Sequence, residues 1–416
     1  MILDRERLWA DFAAICDCGG RQTGTESEAA ATLLLAKMGE EATGVAPRTE
    51  SFPYSGWSAV SGEVVLASGE RLPANPLLRS ASTPSGGLEA EVIDLGRGTS
   101  DEFEAHRHEI AGRIVLVRHE LMFAAGTVHR RLKYEAAVKA GAAGFLIAGP
   151  LAGELVAGSS GRGEEPGIPA AGISPETALA LARTAAGYTR VRLFVEGREH
   201  VESADNLIFD LPGRADEWVV LSAHIDGHAL GESALDNASG LAAALAVARA
   251  LRLSGQERRR GIRLAFFNAE EWALTGSAFH VESMTAEERD SVMLNVNLDS
   301  VAGGRRLTAL TSGFDAIEPF LLGCAAQVSI PLGLFRPLQM NSDHGNFARA
   351  GIPAFRLVDG FNDHEADARY VLTPRDRRDL ATEDQLLRTA RLSAEIVSQA
   401  TSIESGRARA WRQRSS

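Results

Sequence analysis

The chain has 416 residues, is 45% hydrophobic and 24% charged, and carries a formal net charge of −12, which leaves room for two ordinary globular domains. That acidity argues against a nucleic-acid backbone or an anionic membrane as the main partner and reads as plain solubility. Three cysteines, Cys16, Cys18 and Cys324, build no paired framework. The start "MILDRERLWADF" has charges where a signal peptide needs an apolar core, and no run reaches membrane-spanning length, so a cytoplasmic protein is expected.

Leu8, Phe12 and Ile15 recur on one face of a first helix, with Trp9 widening the stripe. A Gly-rich turn in "CDCGGRQTGTESE" leads to a Thr25 or Ser27 cap and a second helix ending near Gly44; short strands follow through "GEVVLASGE". From about Gly87 to Gly197 the runs "EVIDLG", "GRIVLVRHE", "AAGFLIAG" and "RVRLFVEG" predict strands, and "HRRLKYEAAVKAGA" a helix. "PGIPAAGISPETALALARTAAG" adds a Pro-bounded strand and another helix. These residues, 87–197, are expected to form a smaller, mainly β module inserted into a larger α/β domain of residues 1–86 and 198–400.

After Asp205 strand and helix alternate in doubly wound style. "SGLAAALAVARALRL" predicts a helix buried against the sheet, with Ser239 as its N-cap. "RLTALTS" and "PAFRLVD" read as strands around the helix "AIEPFLLGCAAQV". Thr382 and Gln385 form a capping box for the last long helix, with Leu386, Leu387, Ala390, Ile396 and Val397 facing inward. The Arg-rich stretch 401–416 is expected to be a frayed polar tail.

Chemistry gathers between Trp218 and Asp299. Three apolar runs end abruptly in polar groups: "WVVLSAH" in His224 with Asp226 two residues on, "IRLAFFNA" in Glu270 and Glu271, and "VMLNVNL" in Asp299; Asp236 lies in the turn "DNASG". In open α/β sheets the loops at the carboxyl ends of strands carry the ligand-binding groups. An imidazole with several carboxylates there suits a divalent metal, zinc first. Each residue also has an ordinary reading: a lone buried histidine, a turn aspartate, a solvated Glu-Glu pair. Against that, adjacent carboxylates at the end of a buried strand repel each other, and an unpaired buried Asp299 would cost several kcal/mol. A cation offsets both. Asp226 is placed to receive a ring N–H of His224.

The series "AHIDGH", "ALDNASG", "NAEEWALTGS", "NLDS" and "SDHGNF" followed by "AGIPA" resembles the signature series of metallopeptidase family twenty-eight, whose members include leucyl aminopeptidases, glutamate carboxypeptidases and the transferrin receptor. The resemblance covers about residues 15–85 and 200–400, and "GRIVLVRHE", "AAVKAGAAGFLIAG" and "GIPAAGIS" resemble the protease-associated domain that interrupts such peptidases. It implies a three-layer zinc-peptidase domain with a mixed, mostly parallel sheet. It also implies two zinc ions, one held by His224, Asp236 and Asp299, the other by Glu271, with Asp236 bridging and followed by a cis peptide. Glu270 would then be general base and acid, and Asp226 the residue that orients His224. The substrate would be a peptide, cleaved from its amino terminus. One position departs from the pattern: in "RYVLTPRD" Leu372 stands where the family has its last histidine ligand, and His364 in "FNDHEADARY" is the expected replacement, ahead of His344 and His228. The rival expectations are a carboxypeptidase or dipeptidase using Arg356 or Arg369, a single-zinc glutaminyl-cyclase-like enzyme, and a non-catalytic binding protein on the same fold. Oligomeric state has no signature in the chain.

Overall fold

The computed structural model describes residues 2–163, 165–182 and 188–413. The chain packs as two units, one of Met1–Tyr54, Ser203–Val371 and Asp376–Ser416, the other of Ser55–Glu202 and Leu372–Arg375.

The larger unit is built on a mixed sheet. Its strands run, from one edge, Leu332–Phe335, Leu307–Leu310, Ala354–Asp359, Val292–Leu298, Trp218–His224 and Gly261–Phe267, then residues 207–211 of the long strand Thr189–Leu211. Two pairings are antiparallel, Leu307–Leu310 with Ala354–Asp359 and Gly261–Phe267 with residues 207–211; the four between and beyond them are parallel. Every residue of Val292–Leu298 and of Ala354–Asp359 is buried, so the sheet is covered on both faces, and these runs are mainly apolar on both sides, with Asn295, Asn297, Arg356 and Asp359 as the buried polar exceptions.

The helix Ser239–Leu253 lies on the central strands and is itself packed by Arg5–Asp17, Glu26–Thr43 and Glu383–Ser402. It is buried along nearly its whole length, because its six alanines and one glycine among fifteen residues let its backbone approach sheet and helices alike. Ala238 holds its cap position and Ser239 is its first residue; the Ser239 hydroxyl donates to the Leu235 carbonyl at 2.7 Å instead of capping. Thr25 caps the second helix, while Ser27 accepts from the Arg21 N–H at 2.9 Å. The Thr382–Gln385 capping box forms as the spacing predicts.

Over residues 401–413 the expected frayed tail is corrected by the structure, and 414–416 lie outside the described residues. A further helix spans Ser405–Ala410, the Trp411 ring sits 4.7 Å from that of Phe320, and Arg412 donates to the carbonyls of Gly351, Arg289, Asp290 and Val292. A buried indole outweighs the polarity of its neighbours, whose charges reach solvent or carbonyls.

The smaller unit is built on strands as well. Residues 189–193 pair antiparallel with Leu88–Asp94, which is followed in parallel by Ile114–Arg118, Gly144–Ala148 and Ala170–Ile173, with Asn75–Pro76 antiparallel at the edge. Val64, Val92, Ile114, Leu116, Leu146, Ile173 and Leu193 make its core. The unit begins at Ser55, upstream of the Gly87 read from sequence, because the expected short strands before Gly87 are one long strand, Arg48–Leu66, whose Val64 belongs to this core. The helix expected after the Pro-bounded strand begins at Pro175 and is described to Ala182; its expected end, residues 183–187, lies outside the described residues. No helix among the described residues is long and apolar enough to cross a membrane.

Candidate metal centre

Strand register brings the distant polar groups level. His224 lies opposite Phe267, and Asn297 opposite Ser222, so Asp299, two residues beyond Asn297, emerges beside His224, with Glu270 just past Phe267 on the other side. Asp236 joins them from the turn before Ser239–Leu253. One donor atom from each of His224, Asp236 and Asp299 lies within 4.8 Å of the others, and all three residues are buried. His224 Nε2 is 3.0 Å from Asp236 Oδ1 and 3.6 Å from Asp299 Oδ1. An imidazole and two carboxylates aimed at one point, away from bulk water, form a donor set that fits one zinc-like cation.

Each ligand candidate is anchored by other groups. The His224 Nδ1 faces the Asp226 backbone carbonyl at 3.0 Å, while the Asp226 carboxylate is 3.8 Å away. The ring nitrogen therefore meets the Asp226 carbonyl first, while the carboxylate expected to orient it lies within ion-pair distance and also serves other donors. Oδ1 accepts the Glu270 N–H at 2.9 Å, and Oδ2 accepts the Glu271 N–H and the Thr23 hydroxyl, both at 3.0 Å. Asp236 follows an N–H of Leu235 held by Asp376 at 2.7 Å, and its own N–H points to the same carboxylate at 3.3 Å. Its peptide bond to Asn237 is cis.

Asp299 accepts from Ser342 and, at 3.0 Å, pairs with Arg356. Burial pushes its carboxyl up, but Arg356, His224 and Ser342 outweigh it and hold it far below the usual carboxylate range. Burial raises Asp236, reinforced by Asp299 and opposed by His224 and Arg356. Burial also lifts Glu270 well above its ordinary value, with Glu271, Asp299 and Asp343 adding to it against His224. His224 is raised well above its ordinary value because, against the cost of burial, Glu270, Asp226, Asp236 and Asp299 all favour its cation. A divalent cation would relieve the same crowding of negative charge that here falls on protons.

Glu271 is partly exposed, and the structure brings no third donor to it among the described residues. His364 is exposed and stands outside the group; its carbonyl accepts from Arg369 at 3.3 Å. Polar neighbours (Asn362, Asp363, Glu365) keep that loop in water, so the expected replacement ligand is not in place. His228 and His344 are buried, and burial lowers both imidazoles to about 3. Leu372 is buried in the smaller unit, where its carbonyl accepts from Ala157 at 2.9 Å. Three supporting residues escaped the sequence reading in their roles. Arg356 reads from sequence as a pocket cation, and Asp376 and Thr23 carry no signal of their own beyond lying in "RYVLTPRD" and "CDCGGRQTGTESE".

Residues 206–397 match peptidase family M28 and residues 60–181 match the PA domain. A probable leucine aminopeptidase 2 of Aspergillus fumigatus is 28% identical over 72% of this chain and 60% of its own length. The aminopeptidase YwaD of Bacillus subtilis is 25% identical over 78% of this chain and 70% of its own. The chain spans 60%, 45% and 36% of the first three curated relatives it matches. Among solved structures, a zinc aminopeptidase from Bacillus subtilis shares the fold with a TM-score of 0.77, at 22% identity over 97% of both chains.

Proposed function

We propose that this chain, which carries a peptidase family M28 domain over residues 206–397 with a PA domain inserted before it, is a zinc-dependent aminopeptidase that removes N-terminal residues from peptides. One observation carries the reading: His224, Asp236 and Asp299, far apart in sequence, present donor atoms within 4.8 Å of one another in a buried site. Relatives named aminopeptidases support the choice of reaction.

His224, Asp236 and Asp299 would hold the ion. Bound there, zinc supplies Lewis acidity toward a substrate carbonyl and lowers the pKa of water. Glu270 is assigned as the group that takes a proton from the attacking water and returns it to the leaving amine. It is buried, and burial lifts its carboxyl well above its ordinary value, with Glu271, Asp299 and Asp343 adding to the shift against His224. Asp226 is assigned a holding role beneath it. Glu271 and Asp236 would offer a second ion too few donors, given Leu372 and the exposed His364, so one zinc per chain is the proposed count in place of two. The three free thiols fit a reducing compartment, and the cytoplasm is proposed on that ground.

A carboxypeptidase acting on acidic peptides is the weaker reading. It calls for a basic side chain facing substrate, and Arg356 is committed to Asp299, Asn341 and Ser300. The deciding experiment is metal analysis with a panel of aminoacyl and acyl-dipeptide chromogenic substrates, run on the parent and on Glu270→Gln. The variant is expected to retain its zinc and lose about 10²–10⁴ in kcat on aminoacyl substrates. Parent-like turnover would remove Glu270 from its role, and a protein that binds no divalent metal would remove the function.

A further inference from the structure

Between the first two helices, "CDCGGRQTGTES" looks like a plain Gly-rich turn, yet its side chains and backbone run to the metal centre. Arg21 is fully buried, with φ +56. Its guanidinium donates to four backbone carbonyls: Gly19 and Glu232 through Nη1 at 2.9 and 2.8 Å, Ser233 through Nη2 at 2.7 Å, and Ile225 through Nε at 2.9 Å. Burial lowers its pKa, and no carboxylate is among its hydrogen-bond acceptors. A cation kept in such a cage is costly, so plain packing is a poor reason for it.

The positions of those carbonyls supply a better one. Ile225 directly follows His224, and Ser233 stands three residues before Asp236, so Arg21 ties together both ends of the loop that carries two of the three ligand candidates. The contact is reciprocal, since the Gly227 N–H donates to the Arg21 carbonyl at 3.2 Å. It is also too close for side chains: a Cβ on Gly20 would lie 2.0 Å from the His228 carbonyl oxygen. Two residues on, the buried Thr23 hydroxyl donates to Asp226 Oδ2, on the same carboxylate that receives the Glu270 and Glu271 N–H groups.

We propose that Arg21 and Thr23 are positioning residues of the catalytic site: Arg21 sets the span between His224 and Asp236, and Thr23 locks the Asp226 carboxylate that fixes the backbone beneath Glu270 and Glu271. Neither touches substrate or ion. The inference rests on the reading of Glu270 as the proton carrier and of His224 and Asp236 as ligands. It predicts two separable defects, one in turnover from Thr23 and one in metal affinity from Arg21.

The test uses Thr23→Val, Thr23→Ser and Arg21→Lys in the full chain, with Arg260→Lys as the control. Arg260 is another buried guanidinium, donating to the Ala400 and Ile403 carbonyls and pairing with Glu217 at 3.0 Å, at the opposite end of its strand from the site. Metal-free protein is titrated with Co²⁺ followed by its visible absorption, melting is recorded, and kcat and KM are measured on an aminoacyl chromogenic substrate. Thr23→Val is expected to bind cobalt and melt as the parent does while kcat falls about tenfold or more with KM little changed, a loss of about 1.4 kcal/mol in barrier terms; Thr23→Ser restores kcat. Arg21→Lys is expected to weaken cobalt binding about tenfold or more, whereas Arg260→Lys lowers only the melting temperature. Parent kcat in Thr23→Val, or cobalt affinity in Arg21→Lys equal to that of Arg260→Lys, overturns the proposal. Should Arg21→Lys fail to fold, Thr23→Val and its serine rescue decide. An active Glu270→Gln would instead break the underlying reading, so the two failures are distinguishable.

Discussion

Replacing Asp226 with asparagine separates two jobs that the residue performs at once. Its backbone carbonyl faces His224 Nδ1 at 3.0 Å and is untouched by the substitution, so the imidazole keeps its orientation. Its carboxylate serves three donors, Glu270 N–H on Oδ1 and Glu271 N–H with Thr23 Oγ1 on Oδ2. An asparagine has one acceptor oxygen. Turned toward Glu271 and Thr23, it presents its NH₂ to the Glu270 N–H; turned the other way, its NH₂ donates to the Thr23 hydroxyl but faces the Glu271 N–H. Either way the loss is one charge-assisted hydrogen bond of about 1.5–3 kcal/mol, plus the cost of a buried N–H facing another donor, about 1–3 kcal/mol. Asp226→Asn is therefore expected to lose about 3 kcal/mol of stability, to bind Co²⁺ close to parent affinity, and to lose kcat because the Glu270 backbone is released. Urea denaturation by tryptophan fluorescence, cobalt titration and steady-state kinetics measure the three quantities. A denaturation midpoint and kcat both equal to the parent's would refute the bonding argument, and weakened cobalt binding with kcat intact at saturating metal would show the jobs assigned the wrong way round.

Acid stability offers an independent check away from the site. Burial raises the Glu50 carboxyl, but His280 at 2.8 Å and Arg48 at 2.6 Å overcome it and bring it down to about 2 from an ordinary 4.5. A depressed carboxylate contributes its full stability above about pH 4.5 and loses it as pH falls toward 2. Glu50→Gln should therefore be less stable than the parent by on the order of 2 kcal/mol near neutrality, and the gap should close between pH 4.5 and 2; a gap that stays constant over that window contradicts the ion-pair account. At the carboxyl end, Trp411→Ala removes a buried ring packed on Phe320 and is expected to cost about 3 kcal/mol, as large core truncations do. If thermal melting of that variant matches the parent, the last helix contributes nothing to the fold.

The elements of the sheet and the order of its polar termini were legible in sequence because their signals are local. Continuous β-branched runs mark strands covered on both faces, and side chains at fixed spacing mark caps, as at Thr25 and the Thr382–Gln385 box. The positions of His224, Asp236, Glu270 and Asp299 at strand ends and in a Gly-containing turn could be read the same way. The partner of each buried polar group could not. Arg21 meets Ile225, 204 positions away, Arg356 takes Asp299 and so stops being a candidate for substrate, and Asp226 turns its carboxylate to two peptide N–H groups as well as the ring beside it. The tail misled because its arginines dominate the composition while one tryptophan decides the packing. His364 misled because nearness in sequence to a missing ligand says nothing about which way a loop folds. Periodicity and capping are properties of a few consecutive residues, so the chain by itself determines them. Which donor satisfies which acceptor depends on what the finished fold brings within about 3 Å in the absence of water, and only the tertiary structure decides that.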